Sequence, residues 1–360
     1  MKRLMIIAAV VGLTSLVAQA QLHNSDVYKI PEKDYSGVRT NLRMPVVQGY
    51  ETLKCDFHAH TYFSDGQVSP EFRVAEAWQD GLDVLAITDH LEYIPFGEFI
   101  KGDFNTSAQK AKKAAERYGL MVVQGAEITR NKPLGHLNAL FVTDGNKMKN
   151  DDPMKSIAEA RAQGAFIMWN HPGWPDDKST LYDIQKELIS AKKIDGVEII
   201  NSHEYYPAAI TFAADYQLAY MGNSDIHSTT RSEYGGNIRP MTLVFAKERN
   251  EDALKEAMFA HRTIALYDNM LFGPAELLSQ AVAGSFEFKA LNRNENSANG
   301  LLTNLTDIDY RLEVNGRFVF APAGKTTLFS LPHSGSITVL NALSAENKPL
   351  VMPVQVIIER

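Results

Sequence analysis

The chain contains one cysteine, Cys55, in 360 residues. No intrachain disulfide can form, so the fold must rest on packing, hydrogen bonds or bound ions. Cys55 lies in an apolar, strand-like run, which suits a buried thiol better than a nucleophile. Long hydrophobic runs are equally scarce. After Leu4–Val17 no stretch is long enough to span a bilayer. That first run follows Lys2 and Arg3 and ends in Ala18-Gln19-Ala20. This is the pattern of a secretory signal peptide over residues 1–20, so an exported, periplasmic protein with no membrane span after cleavage is expected. Basic residues are also in deficit. Without Lys2 and Arg3, 34 basic side chains face 43 acidic ones, a net charge near −9. A nucleic-acid backbone calls for clustered Lys and Arg. A small soluble substrate is therefore expected, with no nucleic-acid polymer as partner.

What remains is long enough for a large domain and a small one. From Leu53 to Leu278, apolar strand-like runs alternate with helix-period segments. Strands are expected at Leu53–Phe57, Asp83–Thr88, Leu120–Ala126, Leu137–Val142, Phe166–Trp169, Val197–Ile200, Ala219–Gly222, Met241–Phe245 and Thr263–Leu266. Amphipathic stretches such as Pro70–Gln79, Ser107–Tyr118, Pro153–Gln163 and Thr180–Ala191 fall between them. Ser69-Pro70-Glu71 reads as a helix start. This alternation predicts a parallel sheet, closed as a barrel or doubly wound. After Gly284 short alternating runs and turn signals such as Asn315-Gly316 predict a β-sandwich of roughly eighty residues. The last expected strand is Val354–Ile358. The expected layout is therefore 1–20 signal peptide, 21–52 N-terminal extension, 53–280 main domain and 284–360 β-sandwich.

Six of the ten histidines occur in a set with carboxylates at expected strand ends: His58, His60, His90, His136, His171 and His227. Asp65, Glu127 and Asp225 accompany them. Residues two apart at a strand end project to the same side, which describes both the His58/His60 and Asp225/His227 pairs. Loops after strand carboxyl ends converge on one face in α/β folds. His136 is the exception, because it opens a strand after the Asn131–Gly135 turn, yet that turn can reach the same rim. Any one of these histidines alone would be a satisfied core residue more often than a ligand. Nine such groups together would be unpaired in an apolar rim, so a multinuclear metal site is expected. Mixed imidazole and carboxylate donors suit zinc, manganese or iron.

His58-Ala59-His60, Ser64-Asp65-Gly66, Thr88-Asp89-His90, Gly125-Ala126-Glu127, Asn170-His171-Pro172 and Ser224-Asp225-Ile226-His227 occur in this order. Together they resemble the motifs of the PHP (polymerase and histidinol phosphatase) family over residues 53 to 270. The resemblance implies a distorted (β/α)7 barrel with two or three divalent metal ions and phosphoester hydrolysis. For such a site the expected mechanism is attack on phosphorus by a hydroxide bridging two metals. By the same resemblance, His58, His60, Glu127 and Asp225 hold a first metal. Glu127 bridges to a second metal on His136 and His171, and Asp65, His90 and His227 hold a third. The family often has histidine where Asp65 stands. The leader segment and β-rich tail resemble secreted bacterial members described as phosphodiesterases.

A phosphodiesterase acting on a small soluble phosphoester is thus the leading expectation, with a histidinol-phosphatase-like phosphomonoesterase as the alternative. His203 is the candidate general acid or substrate contact, and Asp89 the candidate acceptor fixing the tautomer of neighbouring His90. Arg130 and Arg231 are candidate phosphate contacts. Tyr62 and Phe63 are expected near the site mouth, and Glu198 as an interior polar group. An amidohydrolase also begins with H-x-H, but Thr88-Asp89-His90 and the early Asp65 argue against it. A secreted binding protein with an inert barrel is disfavoured because all nine ligand positions are filled.

Overall fold

The computed structural model describes residues 38–358. The leader segment expected at 1–20 and most of the extension expected at 21–52 lie outside the described residues. Among the described residues, no helix is long and apolar enough to cross a membrane.

The first ten strands are β1 (Glu51–Asp56), β2 (Val84–Ile87), β3 (Met121–Ile128), β4 (Leu137–Leu140), β5 (Phe166–Trp169), β6 (Gly196–Asn201), β7 (Glu204–Tyr205), β8 (Ala219–Asn223), β9 (Met241–Ala246) and β10 (Thr263–Tyr267). Nine fall within two residues of the expected strands; β7, only two residues long, had no apolar run to announce it. Helices intervene at Pro70–Gln79, Thr106–Ala115, Pro153–Ala162 and Asp183–Ser190. The first starts as the sequence requires: the Ser69 hydroxyl accepts from Phe72 N at 3.1 Å, with Pro70 in the first turn.

The sheet is mixed rather than parallel. β1, β2 and β3 run parallel, as do β5, β6 and β8. β4 is antiparallel to both β3 and β5, and β9 is antiparallel to β1 and β10. The reversal at β4 follows from the short Asn131–Gly135 connection, since a parallel crossover needs a dozen or more residues. Nor do the strands close into a barrel by regular ladders. β8 pairs with β6, whereas β9 pairs with β1 and β10. Side chains span the remaining seam: Gly222 N donates to Thr242 Oγ1 at 2.9 Å, and Tyr220 N donates to Thr263 Oγ1 at 3.0 Å. A threonine hydroxyl thus stands in for a ladder partner, so the expected (β/α)7 barrel gives way to a mixed α/β sheet. Leu53, Cys55, Phe57, Val123, Phe166, Met168 and Met221 pack together on its interior. Cys55 is fully buried there, as expected, and burial pushes its thiol pKa up.

The tail adds β11 (Met270–Phe272), β12 (Phe286–Arg293), β13 (Ser297–Asn304), β14 (Tyr310–Val314), β15 (Arg317–Ala321), β16 (Thr326–Pro332), β17 (Ser336–Ser344) and β18 (Lys348–Pro353). β12, β13 and β16 form a separate antiparallel sheet. β17 pairs in parallel with β11, carrying β14, β15 and β18 onto the edge of the large sheet. Phe286, Leu302, Tyr310, Leu331, Val339 and Met352 share one core between the two. β13 had no strong signal, because its Asn-Gly-containing run is ordered by partners on both sides. The strand expected at Val354–Ile358 is instead the short helix Gln355–Ile358, which follows Pro353.

Candidate metal centre

Two loops carry the first donors. His58 and His60 follow β1, and Asp225 and His227 follow β8; the two loops touch through a parallel bridge between Ala59 and Ile226. His60 N donates to Ile226 O at 3.0 Å. The loop then doubles back so tightly that a Cβ on Gly66 would lie 2.6 Å from the His60 carbonyl carbon. This close approach explains why glycine follows Ser64-Asp65 and holds Asp65 beside the imidazoles. Asp225 adopts φ +53°, a left-handed conformation unusual for a non-glycine residue and one found at functional sites.

The donors converge. His58 Nε2 and His60 Nε2 each lie 3.1 Å from Asp225 Oδ1, and 3.7 and 3.6 Å from Glu127 Oε2. Glu127 Oε1 faces His136 Nδ1 at 2.8 Å and His171 Nε2 at 3.7 Å. Asp65 Oδ1 lies 3.2 Å from His227 Nε2 and 3.4 Å from His90 Nε2. Three ligand groups emerge from donor-atom spacing: His60, Asp65, His90 and His227; His58, Glu127 and His171; and His58, His60 and Asp225. His136 stands outside these groups, although its ring touches Glu127. The expected third set gains His60.

Whether these residues fit metal ions is answered by their unpaired atoms. His58 Nε2, His60 Nε2, Asp65 Oδ1 and Glu127 Oε2 are buried and have no hydrogen-bond partner. His58 Nε2 and His60 Nε2 lie 3.7 and 3.6 Å from Glu127 Oε2 and 3.1 Å from Asp225 Oδ1, without hydrogen-bond alignment. Each unpaired buried polar atom costs about 1–3 kcal/mol. Lone pairs aimed at shared points are the arrangement that cations complete, and the donor set suits a divalent metal.

The electrostatics agree. Burial opposes a charged imidazole at His90, but Glu127 and Asp65 outweigh it and push its pKa up to about 10. His60 moves the other way, down to about 3, through burial and the neighbouring His227 and His90. Burial works against ionisation of Glu127 and Asp225 too, yet the surrounding histidines hold both carboxyls well below the usual range.

A second layer of side chains fixes the donors. Glu198 is fully buried and accepts from His58 Nδ1 at 2.9 Å, His171 N at 2.7 Å, and the amides of Asn201 and Asn223 at 2.9 Å each. Holding His58 Nδ1–H, it leaves Nε2 free to face the carboxylates. The Glu198 position matches its expected role as an interior polar group. Asp89 does not hold His90. It accepts from Thr61 N at 2.7 Å, Thr61 Oγ1 at 2.8 Å and Ser64 Oγ at 2.8 Å. Ser64 in turn lies 3.4 Å from His60 Nδ1, so Asp89 acts on a different imidazole and through a hydroxyl. His90 Nδ1 meets Thr129 Oγ1 instead, at 2.6 Å.

Two buried arginines complete the frame, and sequence reasoning missed both. Arg73, on the helix Pro70–Gln79, donates to the carbonyls of His60 (3.0 Å), Ser228 (2.7 Å) and His227 (3.1 Å) and pairs with Glu76. It ties the two metal-bearing loops together. Arg239 pairs with Asp56, which also accepts from Ser224 Oγ at 2.5 Å and His58 N at 3.2 Å. A charged residue within the buried face of a helix, beside Val74 and Ala77, was the available signal for Arg73.

A cavity of about 690 Å³ opens above the centre, lined by His90, His136, His171 and His227 among others. His203 lies in its wall, with Nδ1 2.7 Å from the Tyr267 hydroxyl and Nε2 3.2 Å from Glu233 O. The expected phosphate contacts do not reach it. Arg130 donates to the carbonyls of Thr129 (2.8 Å) and Asn150 (3.0 Å) and pairs with Glu92. Arg231 is exposed on the short helix Thr230–Tyr234 and does not line the cavity. Both follow ligands closely in sequence, but the backbone turns them outward. Tyr62 and Phe63 likewise do not line the cavity. Trp174 and Tyr93 do, three residues after His171 and His90.

Comparison with known proteins agrees with this geometry. The model of the PHP domain matches residues 56–219. A two-domain protein of Bacteroides vulgatus, containing a predicted PHP-like metal-dependent phosphoesterase, is 34% identical with a TM-score of 0.84. The match covers 88% of this chain and 98% of that one. An uncharacterized protein of Methanocaldococcus jannaschii is 32% identical over 192 residues, 49% of this chain and 82% of its own length. A 5'-3' exoribonuclease of Haemophilus influenzae is 34% identical over 80 residues, and the match spans 22% of this chain and a quarter (25%) of that protein. The chain belongs to the PHP family of metal-dependent phosphoesterases and is a hydrolase.

One expectation is overturned. An Endonuclease Q solved with a 27-mer duplex carrying an abasic lesion at the active site is among the fold's relatives, at 15% identity and a TM-score of 0.41. That match covers 62% of this chain and 60% of that one. The expected restriction to a small soluble substrate, with no nucleic-acid polymer as partner, does not stand, because it was drawn from net charge alone. Net charge is a whole-chain property, and where metals meet the phosphate it does not decide what enters the cavity.

Proposed function

We propose that this protein is a phosphodiesterase loaded with two or three zinc, manganese or iron ions. The observation that carries this reading is the cavity's charge: among the described residues lining it, none is lysine or arginine, and Glu204 adds a carboxylate. A phosphate monoester brings close to two negative charges at neutral pH, a diester only one. With no fixed cationic side chain to meet the second charge, the diester is the better match. The partial likeness to an exoribonuclease is in line with it.

Bound metals would supply a water of lowered pKa and neutralise charge on the phosphoryl oxygens. The residues do the rest. His58, His60, Glu127 and Asp225 would hold one ion. The second carboxylate oxygen of Glu127 would reach another with His171 and His136, and Asp65, His90 and His227 a third. Glu198 and Ser64 set the ring orientation of His58 and His60. The main-chain oxygen of Asp225 holds His227 Nδ1 at 2.7 Å, turning Nε2 toward Asp65. His203, in the cavity wall, is assigned to protonate the leaving oxygen with the proton that its Nε2 donates to Glu233 O at 3.2 Å, while Nδ1 faces the Tyr267 hydroxyl.

The test uses the purified chain stripped by chelation and reloaded with each metal. Hydrolysis of bis(p-nitrophenyl) phosphate should exceed that of p-nitrophenyl phosphate in kcat/KM. A preference for the monoester under every metal would overturn the reading.

A further inference from the structure

Two large aromatic side chains stand exposed in the cavity wall where burial would be the ordinary outcome. Trp174 is 50% and Tyr93 is 54% exposed. Each sits on a loop that also carries ligands. The Trp174 ring lies 5.0 Å from His136 and 5.6 Å from His171; Tyr93 lies 6.0 Å from His90. His90 and His136 are themselves 6.1 Å apart, so the two aromatics adjoin neighbouring points of the metal cluster. Trp174 is held there, since its main-chain N donates to His171 O at 2.9 Å. Thr129 and Asn131 line the same cavity.

Fixed, half-exposed aromatic faces next to a reaction centre bind flat apolar groups, because stacking adds to area burial. The wall beyond them argues against a charged substituent. It carries Glu204, to which the Tyr206 hydroxyl donates at 3.0 Å, and no lysine or arginine. A second phosphate or a carboxylate would be repelled there.

We propose that Trp174 and Tyr93 form a subsite for a planar, uncharged aromatic or heteroaromatic substituent of the phosphodiester. This rests on the phosphodiesterase reading and specifies its substrate class. Offset stacking over the Trp174 indole would hold one ester group while the phosphorus meets the metal cluster.

The test keeps the leaving group constant. p-Nitrophenyl benzyl phosphate and p-nitrophenyl cyclohexylmethyl phosphate differ only in whether the retained substituent is planar and aromatic. The metal-loaded protein should favour the benzyl ester about tenfold in kcat/KM, chiefly through KM. Trp174→Leu should bring that ratio close to one, and Trp174→Phe should retain most of it. The ratio cancels any general disturbance of His136 or His171. Binding of benzyl and cyclohexylmethyl methylphosphonate, followed by calorimetry, gives a second readout independent of turnover. A binding preference for the benzyl compound without turnover of either ester would refute the diesterase reading and support the subsite. Equal handling of the two ring types in both assays, or a ratio unchanged in Trp174→Leu, would overturn the subsite.

Discussion

The two sides of the metal centre are built in opposite ways. Beneath it, Arg73, Arg239, Glu198 and Asp56 are buried, and each makes several contacts with other protein groups. Above it, Trp174, Tyr93 and His203 stand exposed in a cavity wall. The buried side fixes where the donors point; the open side meets the substrate. Substitutions beneath should therefore damage stability and metal binding together, whereas those above should change substrate preference with the fold intact.

The largest effect is expected at Arg73. Arg73→Met leaves the His60, His227 and Ser228 carbonyls and Glu76 without their shared donor. Breaking a buried ion pair costs about 3–5 kcal/mol. Urea unfolding should show a loss of that size, together with reduced metal content. Next comes Glu198→Gln, which keeps the volume but weakens the charge-assisted bond to His58 Nδ1. Metal affinity should fall about 10–100-fold with the unfolding midpoint less affected, as titration of the stripped protein would show.

A pH effect of intermediate size follows from the stripped centre. Because Glu127 and Asp65 outweigh burial and raise His90 to about 10, its imidazole is protonated at neutral pH without metal. Metal must displace that proton, so affinity should rise as pH increases toward 10 and loading should release protons. Calorimetry in buffers of different ionisation enthalpy would measure the release. The smallest effects are expected at Arg130→Ala and Arg231→Ala. With neither side chain in the cavity, KM should change by less than about threefold, although half-buried Arg130 also holds the Thr129 and Asn150 carbonyls.

The same division explains what the sequence made legible. The donors were readable because histidine and carboxylate at strand ends have few other uses in such number. Strand positions were readable from apolar runs, β5 to the residue. The reversal of β4 and the hydroxyl-bridged seam between β8 and β9 were not, since periodicity carries no strand direction. Arg73 and Arg239 were hidden for a related reason: the Ser228 carbonyl that Arg73 meets and the Asp56 carboxylate that Arg239 meets are distant in sequence. Arg130 and Arg231 misled because proximity to a ligand along the chain does not give side-chain direction. Asp89 was adjacent to one imidazole but serves another through Ser64. In the tail, alternation revealed β12, β14, β15, β16 and β17, while β11, β13 and β18 emerged only from their pairings.

The most direct test of the central claim is anomalous diffraction from crystals soaked in zinc, collected on both sides of the zinc edge. Two or three peaks are expected within coordination distance of His58, His60, Glu127, Asp225 and their neighbours, with Glu127 adjoining two of them. Metal elsewhere, or no peak in this cluster, would contradict that claim.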